Sequence, residues 1–402
     1  MRRAIIRSRA AATGGSRRLF LTLPMLLATA ALVSACGGSS SNAKASSGAS
    51  SASSTVNIAL TPAGCDPKPA KVPAGQVTVN VTNKDAGAVS EAELRTSDLS
   101  HILGEQENLT PGLSGGFSLA IQPGRYVINC PGASQMHWSF TVTGKASGES
   151  WTKNAQLSGA VSSYSDYVDR NVAKLVSTSQ AMCTAIGTGS LSAAELAYPK
   201  SRVYYEQIEP VAEIWGALDT DIDGRWDNPV TVASQFMGFH RIEQLMWEDN
   251  TLKGTASLCQ GLVHHEQQLL ALVRKASYNP LEMAGGAADL IDEAGTAKVT
   301  GEEERYSNTD LVVLQANVVA AQEIVSLLRP YLKLHDAKLL SQIDSADAAA
   351  EQQVSRFRST PGYDGTGYVE YSTVLNGDRE KLAKALSAYK KTLDKLSLVT
   401  SA

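Results

Sequence analysis

An excess of positive charge, a hydrolase signature and a second long apolar run are all missing from this chain. Its 36 Lys and Arg against 40 Asp and Glu leave a formal net charge of -4, and no basic patch with interleaved aromatics occurs. That balance argues against nucleic acid as a partner. No Gly-x-Ser-x-Gly elbow is present, and the His-Glu-x-x-His pattern of zinc peptidases is not completed at His240. Gln244 stands four residues after His240, and Arg241 stands where the general base would be. Proteolysis is disfavoured on both counts. Beyond residue 33 no stretch reads as apolar enough to cross a bilayer, and no internal repeat stands out. What is there is ordinary for a soluble globular chain, with 43% hydrophobic and 19% charged residues over 402 positions. That composition supports a sizeable core and two domains of about 100–200 residues each.

The first residues read as an export signal. Ser16-Arg17-Arg18-Leu19-Phe20-Leu21 carries paired arginines in the twin-arginine manner, and an apolar run over residues 19–33 follows. The run is too short and wrongly flanked for a stable span. Val33-Ser34-Ala35-Cys36-Gly37 resembles a bacterial lipobox, which makes Cys36 the expected acylated first residue of the mature protein. A plain secretory signal with an incidental cysteine is the alternative. Residues 37–54 form a Ser/Ala/Gly tether, flexible and solvated. The expected location is therefore extracytoplasmic, in the cell envelope or periplasm, lipid-anchored to the cell membrane. Acylation of Cys36 leaves four of the five cysteines, which can pair outside the cytoplasm. Cys65 and Cys130 fall in one expected domain and Cys183 and Cys259 in the other, so two intradomain bridges are the simplest arithmetic. Sequence does not settle that connectivity.

Residues 55–145 alternate in the manner of short strands. Val56-Asn57-Ile58-Ala59-Leu60, Val77-Thr78-Val79-Asn80-Val81, Phe117-Ser118-Leu119-Ala120-Ile121 and Tyr126-Val127-Ile128-Asn129-Cys130 are examples, with Trp138-Ser139-Phe140-Thr141-Val142-Thr143 as a last strand. Pro-Gly turns separate them, which predicts a small all-β sandwich. From residue 149 to 402 the period becomes helical. Tyr164, Val168, Val172 and Leu175 mark one stripe, and Leu382, Leu386, Tyr389 and Leu393 another. Proline boundaries are read at Tyr198-Pro199, Asn228-Pro229, Asn279-Pro280 and Arg329-Pro330. The second domain is thus expected to be an all-α bundle.

Within it, Phe239-His240-Arg241-Ile242-Glu243 sets an imidazole and a carboxylate three apart, on one face of a helix read from about Val232 through Trp247. His240 and Glu243 could grip one cation. Upstream, Tyr204-Tyr205-Glu206-Gln207-Ile208-Glu209-Pro210-Val211-Ala212-Glu213 reads as an acidic helix with Glu206 and Glu209 at the same spacing. Two helices that each offer such a pair are a way bundles build metal sites.

These stretches, with Trp247-Glu248, Gly301-Glu302-Glu303-Glu304-Arg305-Tyr306-Ser307, Asp310-Leu311 and Gln315-Ala316-Asn317, resemble the imelysin-like domain of EfeO-type iron-uptake proteins. The likeness runs over nearly the whole mature chain. It implies a cupredoxin-like domain ahead of an imelysin-like helical domain, the latter similar to two four-helix bundles related by pseudo-symmetry. It also implies work beside a haem peroxidase and a membrane permease in iron transport. Further ligand candidates come with it. His265, where relatives carry an Asp, is one, against a surface His264-His265 pair. Asp310 is another, against an N-cap role for Ser307-Asn308-Thr309-Asp310.

In the first domain, Cys130, Met136 and His137 with His101 suggest blue copper, but Met136 precedes His137 where the cupredoxin loop runs Cys, His, Met. The alternative set is Cys65, Glu91 or Glu93, and Cys130, which resembles what EfeO-type domains carry. A plain Cys65–Cys130 bridge stays open beside it. The acids of residues 103–112 read as a solvated turn.

The combined expectation is an iron-binding lipoprotein that passes iron to a permease, a transport component rather than an enzyme, with copper or a second iron as an option in the first domain. A metallopeptidase-like hydrolase and a polysaccharide-binding lipoprotein with a structural metal are the alternatives.

Overall fold

A computed structural model describes residues 54–145, 151–226 and 232–400. The expected signal, the acylation site Cys36 and almost all of the tether lie outside the described residues. So does Asn228-Pro229.

Among the described residues eight strands come first: β1 Ser54–Leu60, β2 Lys71–Pro73, β3 Gly75–Asn83, β4 Ala92–Thr96, β5 Ile102–Gln106, β6 Ser114–Ile121, β7 Gly124–Asn129 and β8 His137–Thr143. They form two sheets, ordered β1-β3-β6 and β2-β8-β7-β4-β5. Alternation decides what faces inward. Val77, Val79 and Val81 of β3 are buried one residue in two, and Val77 and Val79 lie opposite Leu119 and Phe117 of β6. Leu94, Ile128 and Phe140 close the core from the other sheet. Cys65 and Cys130 are joined as a disulfide inside it.

Two strands were not legible as such. β4 and β5 pair antiparallel at one edge of the larger sheet, with Glu93 directly opposite Glu105. Residues 103–106, read as part of a solvated turn, are instead strand, and Glu105 is buried. Its face is covered by helices that no local pattern could announce.

Among the described residues eleven helices follow: α1 Ala155–Gly187, α2 Leu191–Glu206, α3 Glu209–Ala212, α4 Gly216–Asp223, α5 Gly238–Glu243, α6 Thr255–Val273, α7 Pro280–Thr296, α8 Asp310–His335, α9 Ala337–Ser355, α10 Asn376–Leu393 and α11 Leu396–Thr400. The architecture is a small β-sandwich followed by an all-α part. Asn154 caps α1 by accepting the amides of Gln156 and Leu157. Both stripes read from the sequence are buried, on α1 and α10. A second disulfide, Cys183–Cys259, ties α1 to α6. Asn279 opens α7 with a capping box completed by Glu282, as the Asn-Pro boundary predicts. Pro199 and Pro330, read as boundaries, lie inside α2 and α8 instead. α8 is long and apolar enough to cross a membrane by composition, contrary to the reading that no such stretch exists. Most of it is buried, so it is the core helix of the bundle.

α7 lies against β5. Gly285 makes this possible, because a Cβ there would stand 2.5 Å from the Leu103 carbonyl oxygen. His101 Nδ1 meets Glu282 at 3.0 Å, Asn108 donates to Glu293 at 2.7 Å, and Ser397 Oγ accepts the Ala120 amide at 3.0 Å. Sandwich and helices thus share a polar seam.

Candidate metal centre

α5 is short for a reason that lies in its first residue. Gly238 has φ +73°, and a Cβ on it would collide with the Ile222 carbonyl of α4. The helix therefore starts at Gly238 rather than near Val232, and α4 docks against its start, which brings Asp223 to His240. A π turn over Gln244–Glu248 follows at once, a distortion found often beside functional sites.

His240 is 2% exposed. Its Nδ1 lies 3.1 Å from Glu243 Oε2. A carboxylate only accepts, so Nδ1 carries the proton. Glu243 is in turn fixed through Oε1, which accepts the amides of Tyr306 at 3.0 Å and Ser307 at 2.7 Å. The other ring nitrogen, Nε2, faces Asp223 Oδ1 at 3.4 Å and Glu303 Oε1 at 3.6 Å, and has no hydrogen-bond partner. Ligand atoms of Asp223, His240 and Glu303 all lie within 4.8 Å of one another. An imidazole oriented by a carboxylate, with its free nitrogen turned toward two more carboxylates, is the arrangement of a metal-binding histidine. One nitrogen and two oxygens suit an intermediate first-row ion.

The surrounding charges keep this cluster ionised. Arg202 of α2 is fully buried and pairs with Glu206 and Asp223, with Glu303 at 2.9 Å and with Glu304 at 2.5 Å. Arg225 pairs with Glu303. Burial works against the Asp223 and Glu303 carboxylates, yet Arg202 beside Asp223 lowers its pKa, and Arg225 and Lys298 hold Glu303 well below the usual range. Burial likewise penalises a charged His240, but the Asp223 carboxylate, with Glu243 and Glu303, raises its pKa well above that of a free imidazole. Loading Nε2 with a cation therefore releases a proton.

Several expected ligands are placed otherwise. Glu243 is engaged at both oxygens, Oε2 with His240 Nδ1 and Oε1 with two backbone amides, and so positions the ring. Glu206 and Glu209 lie apart from this pair. The acidic run is not one helix, because α2 stops at Glu206 and a new turn, α3, begins at Glu209 with Pro210 in its first turn. Lys298 Nζ takes both acids, Glu206 at 2.9 Å and Glu209 at 2.6 Å. His265 of α6 stands 4.0 Å from Asp221 and, among the described residues, belongs to no group of three. Asp310 accepts the Glu304 amide at 3.2 Å and so braces the loop that carries Glu303. Burial pushes its carboxyl up to about 7.

In the sandwich, the disulfide leaves Cys65 and Cys130 no thiolate to offer, which corrects the thiolate ligand set and the blue-copper option. Met136 and His137 are exposed, and His101 is engaged with Glu282. Glu91 and Glu93 do come together, with Glu105 as their third member.

Of the three side chains at this centre, Glu303 was read only as part of an acidic segment, and Asp223 was missed. Its only signal was the acid-rich run Asp219-Thr220-Asp221-Ile222-Asp223, and nothing in that run marks which acid turns inward. A cavity of about 420 Å³ opens on Asp223 and Glu303 and reaches Glu93 and Glu107 of the sandwich.

A family model described as Imelysin matches residues 160–399, and one described as Cupredoxin-like domain matches residues 26–142. The chain is 33% identical over 347 residues to the Iron uptake system component EfeO of Yersinia pestis, covering 85% of this chain and 90% of that protein. It is 32% identical over 345 residues to the protein of the same name from Escherichia coli strain K12, again with 85% and 90% covered.

Proposed function

We propose, for a chain that belongs to the family of EfeO iron uptake system components, that it captures an iron ion outside the cytoplasm and delivers it to a membrane permease. The observation that carries this reading is the orphaned His240 Nε2, buried and faced by Asp223 and Glu303. Iron is the cargo here. Asp223, Glu303 and His240 would hold it, while Glu243 keeps a proton on Nδ1, so that Nε2 is the nitrogen that gives up its proton to the ion. Arg202 and Arg225 limit the charge repulsion that the two acids would otherwise meet in the metal-free state. Three protein ligands leave further positions on the ion to water from the adjoining cavity, which suits reversible capture rather than permanent storage. The chemistry this reading assigns is binding and release.

In this reading Cys36 anchors the protein to the membrane, and the permease and haem peroxidase of the same uptake system are its partners. The carboxylates Glu91 and Glu93 make the sandwich a second place for iron rather than for copper, since oxygen donors match the harder ion.

The test is anaerobic calorimetric titration of the purified chain with Fe(II). His240→Ala and Asp223→Asn should each weaken binding of one ion by at least about a hundredfold, with the circular dichroism spectrum unchanged. Undiminished affinity in both variants would overturn the assignment.

A further inference from the structure

The same residue pattern occurs twice at the edge of the larger sheet. Glu91-Ala92-Glu93 and Glu105-Gln106-Glu107 each place carboxylates two apart, and therefore on one face of a strand. The register sets Glu93 opposite Glu105, so four acids are gathered on the side that meets the helices. Like charges opposite one another in a ladder are unfavourable, and here the helices add to the load. Glu213, just after α3, brings a carboxylate to Glu105 and Glu107, and ligand atoms of these three lie within 4.8 Å of one another. Among the described residues no Lys, Arg or His forms an ion pair with any of the three. Arg95 is taken by Glu93, Arg225 by Glu303 and Lys298 by Glu206 and Glu209.

A cluster of acids alone proves little, but Glu105 supplies an independent sign. It is 7% exposed, and its Oε2 has no hydrogen-bond partner. A buried carboxylate oxygen left without a donor is unfavourable unless something positive meets it. Glu105 belongs both to the group with Glu91 and Glu93 and to the group with Glu107 and Glu213. Glu213 in turn belongs to a further group with Glu209 and Glu293. Glu107 and Glu213 also line both of the adjoining cavities, of about 500 and 420 Å³.

We propose that Glu105 and Glu107 of the sandwich and Glu213 of the helical part form a cation site at the seam, taking a hard di- or trivalent ion through oxygen donors alone. All-carboxylate ligation favours such ions over soft ones. The identity of that ion as iron rests on the proposed function, whereas the site itself rests on the seam geometry. Because both halves contribute ligands, the bound ion bridges them and lies between the carboxylates of the sandwich and the cavity that opens on Asp223 and Glu303.

Glu213→Gln is the decisive variant, since Glu213 is not in the group with Glu91 and Glu93 nor in the group with His240. Anaerobic Fe(II) titration of the full chain should show one ion fewer than wild type, or one ion bound at least tenfold more weakly. His240→Ala should lose a different ion, so the double variant should lose two. Glu105→Gln, nearly isosteric, provides a second variant if Glu213→Gln folds poorly, and its bound Mn(II) can be counted by electron paramagnetic resonance. Unchanged stoichiometry and affinity in both glutamate variants would overturn the seam site while leaving the His240 site standing. Loss in Glu213→Gln with no loss in His240→Ala would support the seam site and remove the other.

Discussion

Two neighbouring regions of this molecule bury carboxylates in opposite ways. Around His240 the acids come with their own cations: Arg202, Arg225 and Lys298 are all drawn inward and thread between Glu206, Glu209, Asp223, Glu303 and Glu304. At the seam, no Lys, Arg or His among the described residues forms an ion pair with Glu105, Glu107 or Glu213, and Arg95 and Arg225, paired elsewhere, act on Glu105 and Glu107 only at a distance. Two like charges at about 4 Å repel by roughly 4 kcal/mol at an effective dielectric of 20. Such a cluster is tolerable only with protons or bound cations. Burial pushes Glu105 up to about 7 and Glu107 and Glu213 well above the usual range, whereas Glu303 is held well below it. The core has a fixed counter-charge, while the seam leaves that role to an exchangeable one. The proposed uptake and release of an ion would use both, one to hold a site in shape and one to respond.

The contrast is broken most severely at Arg202. Replacing it by Met should strip four buried acids of their shared partner and cost about 3–5 kcal/mol in denaturant unfolding. A loss below about 1 kcal/mol would mean that core acids tolerate one another as the seam acids must.

Glu243→Gln probes the core without removing a charge partner of Arg202. Its effect should fall on metal affinity, about 10–100-fold weaker by titration, because the ring loses the carboxylate that orients it. A change in unfolding midpoint alone, with affinity intact, would make Glu243 a structural residue only.

Glu266 offers a third setting, an acid buried with neither cation nor fellow acids. Ser179 donates to its Oε1 at 2.6 Å, and its Oε2 has no partner. Burial raises its folded pKa well above the usual value. Between the unfolded and folded values the native state holds the extra proton. Stability from this group is thus present at acid pH and lost as pH rises through the folded value. Glu266→Gln should flatten that decline and raise neutral-pH stability by about 1–2 kcal/mol. Thermal unfolding from pH 4 to 9 checks it, and an unchanged slope would refute it.

The smallest effect is expected where the seam is held by neutral groups. Ser397→Ala leaves the Ala120 amide without its acceptor and should cost about 0.5–1.5 kcal/mol, with little dependence on salt. Hydrogen exchange at Ala120 reads it directly.

Much of this was legible beforehand. Period-two burial at Val77, Val79 and Val81 and period-3.6 burial at Tyr164, Val168, Val172 and Leu175 follow from side-chain direction alone, and both disulfides obey the domain arithmetic. His240 was visible because its spacing to Glu243 is a property of one helical turn. β4 and β5 were not legible, since glutamates are poor strand formers and read as a solvated loop unless another element covers them. Pro199 and Pro330 show the converse, a breaker overridden by packing in α2 and α8.

The amino-acid order by itself therefore determined the β-then-α architecture, the pairing-compatible cysteines and the histidine at the centre. Each is decided over a few residues, by alternation, by a helical turn or by which segment a cysteine belongs to. The tertiary structure decided which acids attend that histidine. Asp223 and Glu303 are 17 residues before and 63 residues after His240 in the chain. They meet it only because Gly238 lets α4 approach and the loop before α8 folds back onto Glu243. Whether a carboxylate becomes a ligand, a partner for Lys298 or a brace for a loop depends on the field of distant residues, and no local pattern carries that field.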